Sequence, residues 1–197
     1  MNTNKNLEIS LYAHLKKQDY ARFINILTSI CGAQYKKFQE YEMGLLPIIQ
    51  TPPGPARNDD IMIRLRGNYT HASIKYIQKW QLLHFGKPDE RFNSMYNVRT
   101  VTDSLLAGNN IHGFVGSLGF HGRHEFVRKG VIYHYNHALI IKVYEIYKVA
   151  KRMDLKSISP LDSANSYVVE VCTRRVSQDE VARAGQELLN FKQKMEG

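Results

Sequence analysis

Glu40 and Glu42 stand two apart in a β-rich run, so both carboxylates fall on one face of a strand. Two acids placed that way inside a barrel could share a divalent metal, and Arg64 and Arg66 on a later strand could hold a phosphate beside it. The eight histidines include His121-Gly-Arg-His124 and His134-Tyr-Asn-His137. Residues three apart on a strand point to opposite faces, and the second pair straddles a turn, so neither pair converges on a metal. H-E-x-x-H and C-x-x-C are both absent, and no metal site or cofactor is expected. Gly113, Gly116, Gly119 and Gly122 lack the Gly-Lys-Ser/Thr ending of a phosphate loop and are assigned to helix packing and exit. No G-x-S-x-G elbow occurs. Cys31 sits on the apolar face of a predicted helix, as core rather than nucleophile.

A barrel with paired acids and basic strands resembles the triphosphate tunnel enzymes, which carry E-x-E-x-K on their first such strand. Here Glu40 and Glu42 are followed by Gly44 where the lysine belongs, and Glu125, Glu145 and Glu170 are isolated rather than paired. The acids are therefore assigned to a solvated face, and catalysis is not expected. A metal-dependent triphosphatase using Glu40, Glu42, Arg64 and Arg66 stands as the rival reading.

The elements that would position these residues are mostly strands. Leu7, Ile9, Leu11, Ala13 and Leu15 alternate with polar residues, the period of a half-buried strand. Tyr20, Phe23, Ile24, Leu27, Ile30 and Cys31 recur at helical spacing between Asp19 as N-cap and Gly32 as stop. Further strands are predicted over 36–46, 61–66, 74–85 and 96–102, and a short helix over 111–118. Two long runs, 124–135 and 139–149, flank Asn136-His137 as a hairpin, with Gly130 read as a bulge. In the second run Leu139, Ile141 and Val143 share one face, and Ile140, Tyr144 and Ile146 the other, so both faces need cover. A last strand over 167–174 precedes a helix over 178–195, opened by the capping box Ser177-Gln178-Asp179-Glu180. Eight strands with few helices between them predict an eight-stranded antiparallel β-barrel with about three short helices, related to triphosphate tunnel folds.

With 197 residues, the chain is expected to form one domain, 1–197, with residues 1–6 flexible and a Pro-rich surface loop over 51–59. Hydrophobic residues at 43% and charged residues at 23% fit a globular protein, with no apolar run of membrane-spanning length. The polar start, Met1 to Asn6, carries no secretory signal, and Cys31 and Cys172 suit a reducing compartment; a bridge between them is the weaker alternative. The net charge of +9 admits a basic nucleic-acid-binding barrel, but the basic residues are spread and never cluster beyond pairs such as Lys16-Lys17 and Arg174-Arg175. Direct nucleic-acid binding is therefore disfavoured.

At His124-Glu-Phe-Val-Arg-Lys-Gly130, followed by Ile141-Lys-Val-Tyr-Glu-Ile-Tyr147, the chain resembles the family of subunit 18 of the Mediator of RNA polymerase II transcription. Agreement extends to Leu65-Arg66, Phe85-Gly86-Lys87-Pro88, Leu118-Gly119-Phe120 and Tyr167-Val-Val-Glu170, in order from about Leu7 to the end. The 51–59 loop and the stretch before Leu7 depart from the pattern. The resemblance implies a non-catalytic structural subunit of the nuclear Mediator head module. It implies pairing with Mediator subunit 20 as a heterodimer, docking of the C-terminal helix of subunit 8, and through these an indirect link to RNA polymerase II and initiation factors. On the residues themselves, Tyr133, Tyr135, Ile140, Tyr144 and Ile146 are candidates for partner contact; the alternative is that they are core and cross-strand pairs.

Overall fold

A computed structural model describes residues 6–48, 62–70, 73–92, 95–108, 110–162 and 166–196. The expectations for residues 1–5 and for the 51–59 loop lie outside the described residues. The elements are β1 (Leu7–Leu15), α1 (Tyr20–Cys31), β2 (Lys36–Pro47), β3 (Ile63–Asn68), β4 (Lys79–Phe85), β5 (Asn97–Ala107), α2 (Ile111–Ser117), β6 (Phe120–Tyr135), β7 (Leu139–Val149), β8 (Ile158–Pro160), β9 (Tyr167–Thr173) and α3 (Val181–Glu196).

Strand order β6-β2-β3-β4-β5-β1-β9-β7 closes on itself through β6–β7, with every pair antiparallel. The eight-stranded barrel is thus as expected, and closure leaves none of its eight strands with an open edge. The three-residue β8 adds to β7 beyond the reach of β9. It was not foreseen because three residues are too few to show a period.

The alternation seen in the sequence decides what faces in. Along β1 the apolar Leu7, Ile9 and Leu11 pack outward with the core that α1 and α3 cover, while Glu8 and Tyr12 line the lumen. The same polarity holds around the wall. One core gathers Ile9, Val131, Tyr133, Ile141 and Val171 beneath Leu27 of α1 and Leu188 and Phe191 of α3. A second gathers Tyr41, Leu65, Trp80 and Val127 beneath Ile111 and Val115 of α2 and Ile74 and Ile77 of the segment before β4. The apolar layers therefore lie outside the barrel and the polar layer inside.

Several local expectations change. The strand predicted over 74–85 begins at Lys79, because Ile74–Tyr76 forms a single 3-10 turn whose isoleucine enters the second core instead of a ladder. No bulge occurs at Gly130: the β6–β7 register runs unbroken from Phe126↔Lys148 to Tyr135↔Leu139. Glycine is needed there for close approach, since a Cβ would lie 2.0 Å from the Val143 carbonyl oxygen. The irregularity falls between Gly44 and Leu45, where β6 spends Arg123 as an extra residue. The hairpin tip matches the reading, with Asn136 and His137 at φ 48° and 56° and the Ala138 N–H donating to the Tyr135 carbonyl at 3.1 Å. Before α3 the capping box forms, the Ser177 N–H donating to the Glu180 carboxylate at 2.9 Å.

Candidate functional site

The lumen is a tunnel of about 740 Å³ whose walls carry most of the charged residues singled out in the sequence. Glu40 and Glu42 do share a face, as their spacing requires, but that face is the tunnel wall and not solvent. Glu42 is fully buried and Glu40 nearly so. The assignment of these acids to a solvated face is corrected on this point.

What holds them is arginine. Arg64 Nη1 donates to Glu42 Oε1 at 3.2 Å, and Arg66 Nε donates to Glu42 Oε2 at 2.9 Å. Arg128, from β6, donates through Nη2 to Glu40 Oε2 at 2.7 Å and lies 3.2 Å from Glu42 Oε2. Its Nη1 is 3.6 Å from Glu170 Oε2, which also accepts from the Tyr144 hydroxyl at 3.0 Å. The cluster joins β2, β3, β6, β7 and β9 across the lumen. Burial alone would push the Glu42 carboxyl up, yet the guanidiniums of Arg66, Arg128 and Arg64 hold it below its ordinary value. Burial works against the Arg128 cation too, and Glu40, Glu42 and Glu170 outweigh it to raise its pKa.

A second network occupies another part of the wall. Glu8 accepts from Arg99 Nη2 at 3.0 Å and from Arg175 Nη1 at 2.7 Å, and Asp103 lies 3.7 Å from Arg175 Nη2. The guanidiniums of Arg64 and Arg99 both stack on Phe85, at 4.8 and 4.2 Å from its centroid.

This donor set does not fit the divalent metal that a tunnel enzyme would use. Both Glu42 oxygens accept from guanidiniums, Glu40 shares Arg128, and among the described residues no three His, Cys, Asp or Glu side chains converge as ligands. At Gly44, where the E-x-E-x-K lysine would stand, the space is filled from the neighbouring strand. A Cβ there would lie 2.3 Å from the imidazole of His124. That imidazole titrates below its usual value, through partial desolvation and then the nearby Arg64 cation.

The five candidate contact residues do not form one surface. Tyr133 is fully buried under α1, its hydroxyl 3.1 Å from Thr28 Oγ1. Tyr135 is half-buried against Phe191 and accepts from Lys194 Nζ at 2.8 Å. Ile140, Tyr144 and Ile146 line the tunnel. The expectation that the outward-facing side of β7 needs cover is met by α1 and α3, and its other side is the tunnel. Sequence reasoning missed Arg128 as the centre of the cluster. The available signal was its place in an even position of a long β run, two residues from Phe126 and Gly130 on the same face.

Outside the barrel, an apolar groove of about 330 Å³ runs between α1 and α3. Leu11, Ala13 and Val171 contribute from β1 and β9, and Phe23, Phe191 and Met195 from the helices. Among the described residues no helix is long and apolar enough to cross a membrane.

A model of the family described as Med18 protein matches residues 7–197. No curated protein matches by sequence. A chain of the Schizosaccharomyces pombe Mediator head module superposes with a TM-score of 0.77 at 20% identity, over 95% of this chain and 93% of that one. The RNA triphosphatase domain of a mimivirus mRNA capping enzyme superposes with a TM-score of 0.54 at 11% identity, over 100% and 92%. A putative adenylyl cyclase from Hippeastrum with a dominant triphosphatase activity gives 0.53 at 15% identity, over 95% and 87%. The barrel is therefore shared with tunnel-fold proteins.

Proposed function

The chain belongs to the Med18 protein family, and from that premise we propose that it is a non-catalytic structural subunit of the Mediator head module, acting in the nucleus to support initiation by RNA polymerase II. In this reading it pairs with Mediator subunit 20, a second barrel, and holds the C-terminal helix of subunit 8. The observation that carries the reading is the groove between α1 and α3. Its apolar floor and helical walls suit the apolar face of an amphipathic helix laid between them. Ala13, exposed on the groove floor, leaves room for such a helix to approach. Tyr135, half-buried beside α3, would contribute at the hairpin end of that face. Ile140 would be reached from the tunnel, and Ile146 from the tunnel and from a small cavity beside β8.

The triphosphatase reading draws on the shared barrel, and the ion pairs count against it. Glu40 and Glu42 cannot release their arginines to a metal without leaving buried guanidiniums uncompensated.

Light scattering on size-exclusion runs tests the proposal. A one-to-one complex with subunit 20, extended by the subunit 8 helix, is expected. Ala13→Glu, which sets a charge on the groove floor, should abolish capture of the helix and leave the pairing with subunit 20 intact. A chain that stays monomeric with both partners present would refute the reading.

A further inference from the structure

We propose that the tunnel is a binding site for a linear phosphate chain of the di- or triphosphate class, which it holds without cleaving. Among the described residues, seven basic side chains line the tunnel against four acidic ones, and Glu40 beneath Arg128 adds a fifth acid. The ion pairs described above therefore do not use up the cationic charge. Lys142, which projects into the lumen from β7, and Arg174 have no carboxylate partner among the described residues.

Guanidinium donors also remain. Among the described residues the Nε of Arg128, whose side chain is 6% exposed, and the Nε of Arg99 are buried without an acceptor. Phe85 holds Arg64 and Arg99 against its ring and so fixes two cations before any ligand arrives. The carboxylates act as struts in this arrangement. They orient the arginines and leave a cationic surplus facing the cavity.

Ligand class follows from shape and charge. An eight-stranded barrel encloses room for one small ligand, and about 740 Å³ falls in the range of small-molecule sites. An acidic helix, roughly 10–12 Å across with its side chains, is too thick to thread such a lumen. A phosphate chain packs several negative charges into a short length, and its oxygens match guanidinium forks. Cleavage is not expected, because the acids that would recruit a metal are bound to arginine.

Calorimetric titration of the full chain at low salt, in the presence of a chelator, tests the proposal. The probes are inorganic tripolyphosphate, a nucleoside triphosphate, orthophosphate and a glutamate peptide. One-to-one binding of tripolyphosphate is expected, at least about tenfold tighter than orthophosphate or the peptide. Equal affinity for the nucleoside triphosphate would mean that only the phosphate chain is read; tighter binding would add a contact to the nucleoside. Arg64→Gln and Lys142→Gln should each weaken binding by about tenfold, as loss of one charge-assisted contact does. Neither should much change the melting temperature, because Glu42 keeps Arg66 and Arg128, and Lys142 has no carboxylate to abandon among the described residues. Three results would each overturn the proposal: no saturable binding, equal binding of the glutamate peptide, or unchanged affinity in a chain carrying both Arg64→Gln and Lys142→Gln. Release of phosphate with magnesium would overturn its non-cleaving half. None of these outcomes depends on whether the chain captures subunit 20 or the subunit 8 helix.

Discussion

Replacing Arg128 with methionine tests whether the tunnel wall is held by its ion pairs or merely lined by them. The guanidinium lies 2.7 Å from Glu40, 3.2 Å from Glu42 and 3.6 Å from Glu170. Losing it affects these acids unequally. Glu42 keeps Arg64 and Arg66, and Glu170 keeps the Tyr144 hydroxyl. Among the described residues Glu40 is left with no cation of its own, its side chain only 11% exposed. Breaking a buried pair by removing one partner costs about 3–5 kcal/mol. Because the tunnel opens to solvent, the lower end applies, about 3 kcal/mol. At about 2–4 °C per kcal/mol for a domain of this size, the melting temperature should fall by about 6–12 °C.

Urea unfolding followed by fluorescence reads this directly, since Trp80 is the only tryptophan and is 3% exposed. The pH dependence has a fixed sign. In the native chain the Glu42 carboxyl is held below its unfolded value, so its share of stability is present above that value and is lost as pH falls through the folded one. In the variant Glu42 keeps Arg64 and Arg66 but loses Arg128, so less of that share is there to be lost and the gap between variant and native chain should narrow as pH falls toward the carboxylate range. Adding Glu40→Gln to Arg128→Met should recover most of the loss. A variant within about 0.5 kcal/mol of the native chain at pH 7, or no recovery in the double variant, would refute the reasoning. Water in the tunnel would then be solvating the acids well enough without arginine.

Gly44→Lys restores the E-x-E-x-K pattern, yet its Cβ would meet the His124 ring at 2.3 Å. It should lower the melting temperature, recover when combined with His124→Ala, and release no phosphate from a triphosphate in either background. Gly130→Ala puts a methyl 2.0 Å from the Val143 carbonyl oxygen, so a loss of about 3 kcal/mol is expected in urea titrations, at the upper end of overpacking. Burial pushes the thiols of Cys31 and Cys172 up to about 11 and about 12, so the reactive thiolate is scarce at pH 8 and grows only as pH rises toward those values. Thiol labelling at pH 8 should therefore be slow at Cys31 and reach Cys172 only in denaturant.

The sequence made the eight barrel strands and three helices legible because period two and period 3.6 are local signals. It left open which face of each strand points inward. The apolar face of a barrel strand ordinarily fills the lumen, and Glu40 with Glu42 then reads as the solvated side. The clue to the inversion lay in the helices. The residues Tyr20 to Cys31 and Val181 to Phe191 each carry an apolar stripe, and two such stripes need apolar sheet outside the barrel to lie on. Once the apolar face is turned outward, the charged faces of β2, β3, β6 and β9 must meet in the lumen, and Glu42 finds Arg64, Arg66 and Arg128 there. That encounter is nonlocal, since Arg128 lies 88 residues from Glu40 in the chain. No spacing rule within a strand could have named it. The same inversion explains why Ile140, Tyr144 and Ile146 line the tunnel, although their alternation is plain in the sequence.

An inverted barrel ties the two proposals together physically. A lumen lined by charge cannot be closed by apolar side chains, so what prevents its collapse is a set of ion pairs bridging strands that are distant in sequence. Arg128 ties β6 to β2 and β9, and Arg99 and Arg175 tie β5 and the end of β9 to Glu8 on β1. Those cross-links fix the wall from inside while the helices bury its outer face. A wall fixed from both sides keeps Leu11, Ala13 and Val171 in place as a floor between α1 and α3, so a docking helix meets a preformed groove and loses less to ordering. The charged interior that does not suit metal chemistry is, on this argument, what makes the exterior rigid enough to hold another chain. It follows that removing the Arg128 link of the inner network, by Glu40→Gln with Arg128→Gln, should weaken helix capture at the groove even though neither residue touches it and most of the stability is kept. If capture were unchanged, the groove would be held by the helices alone.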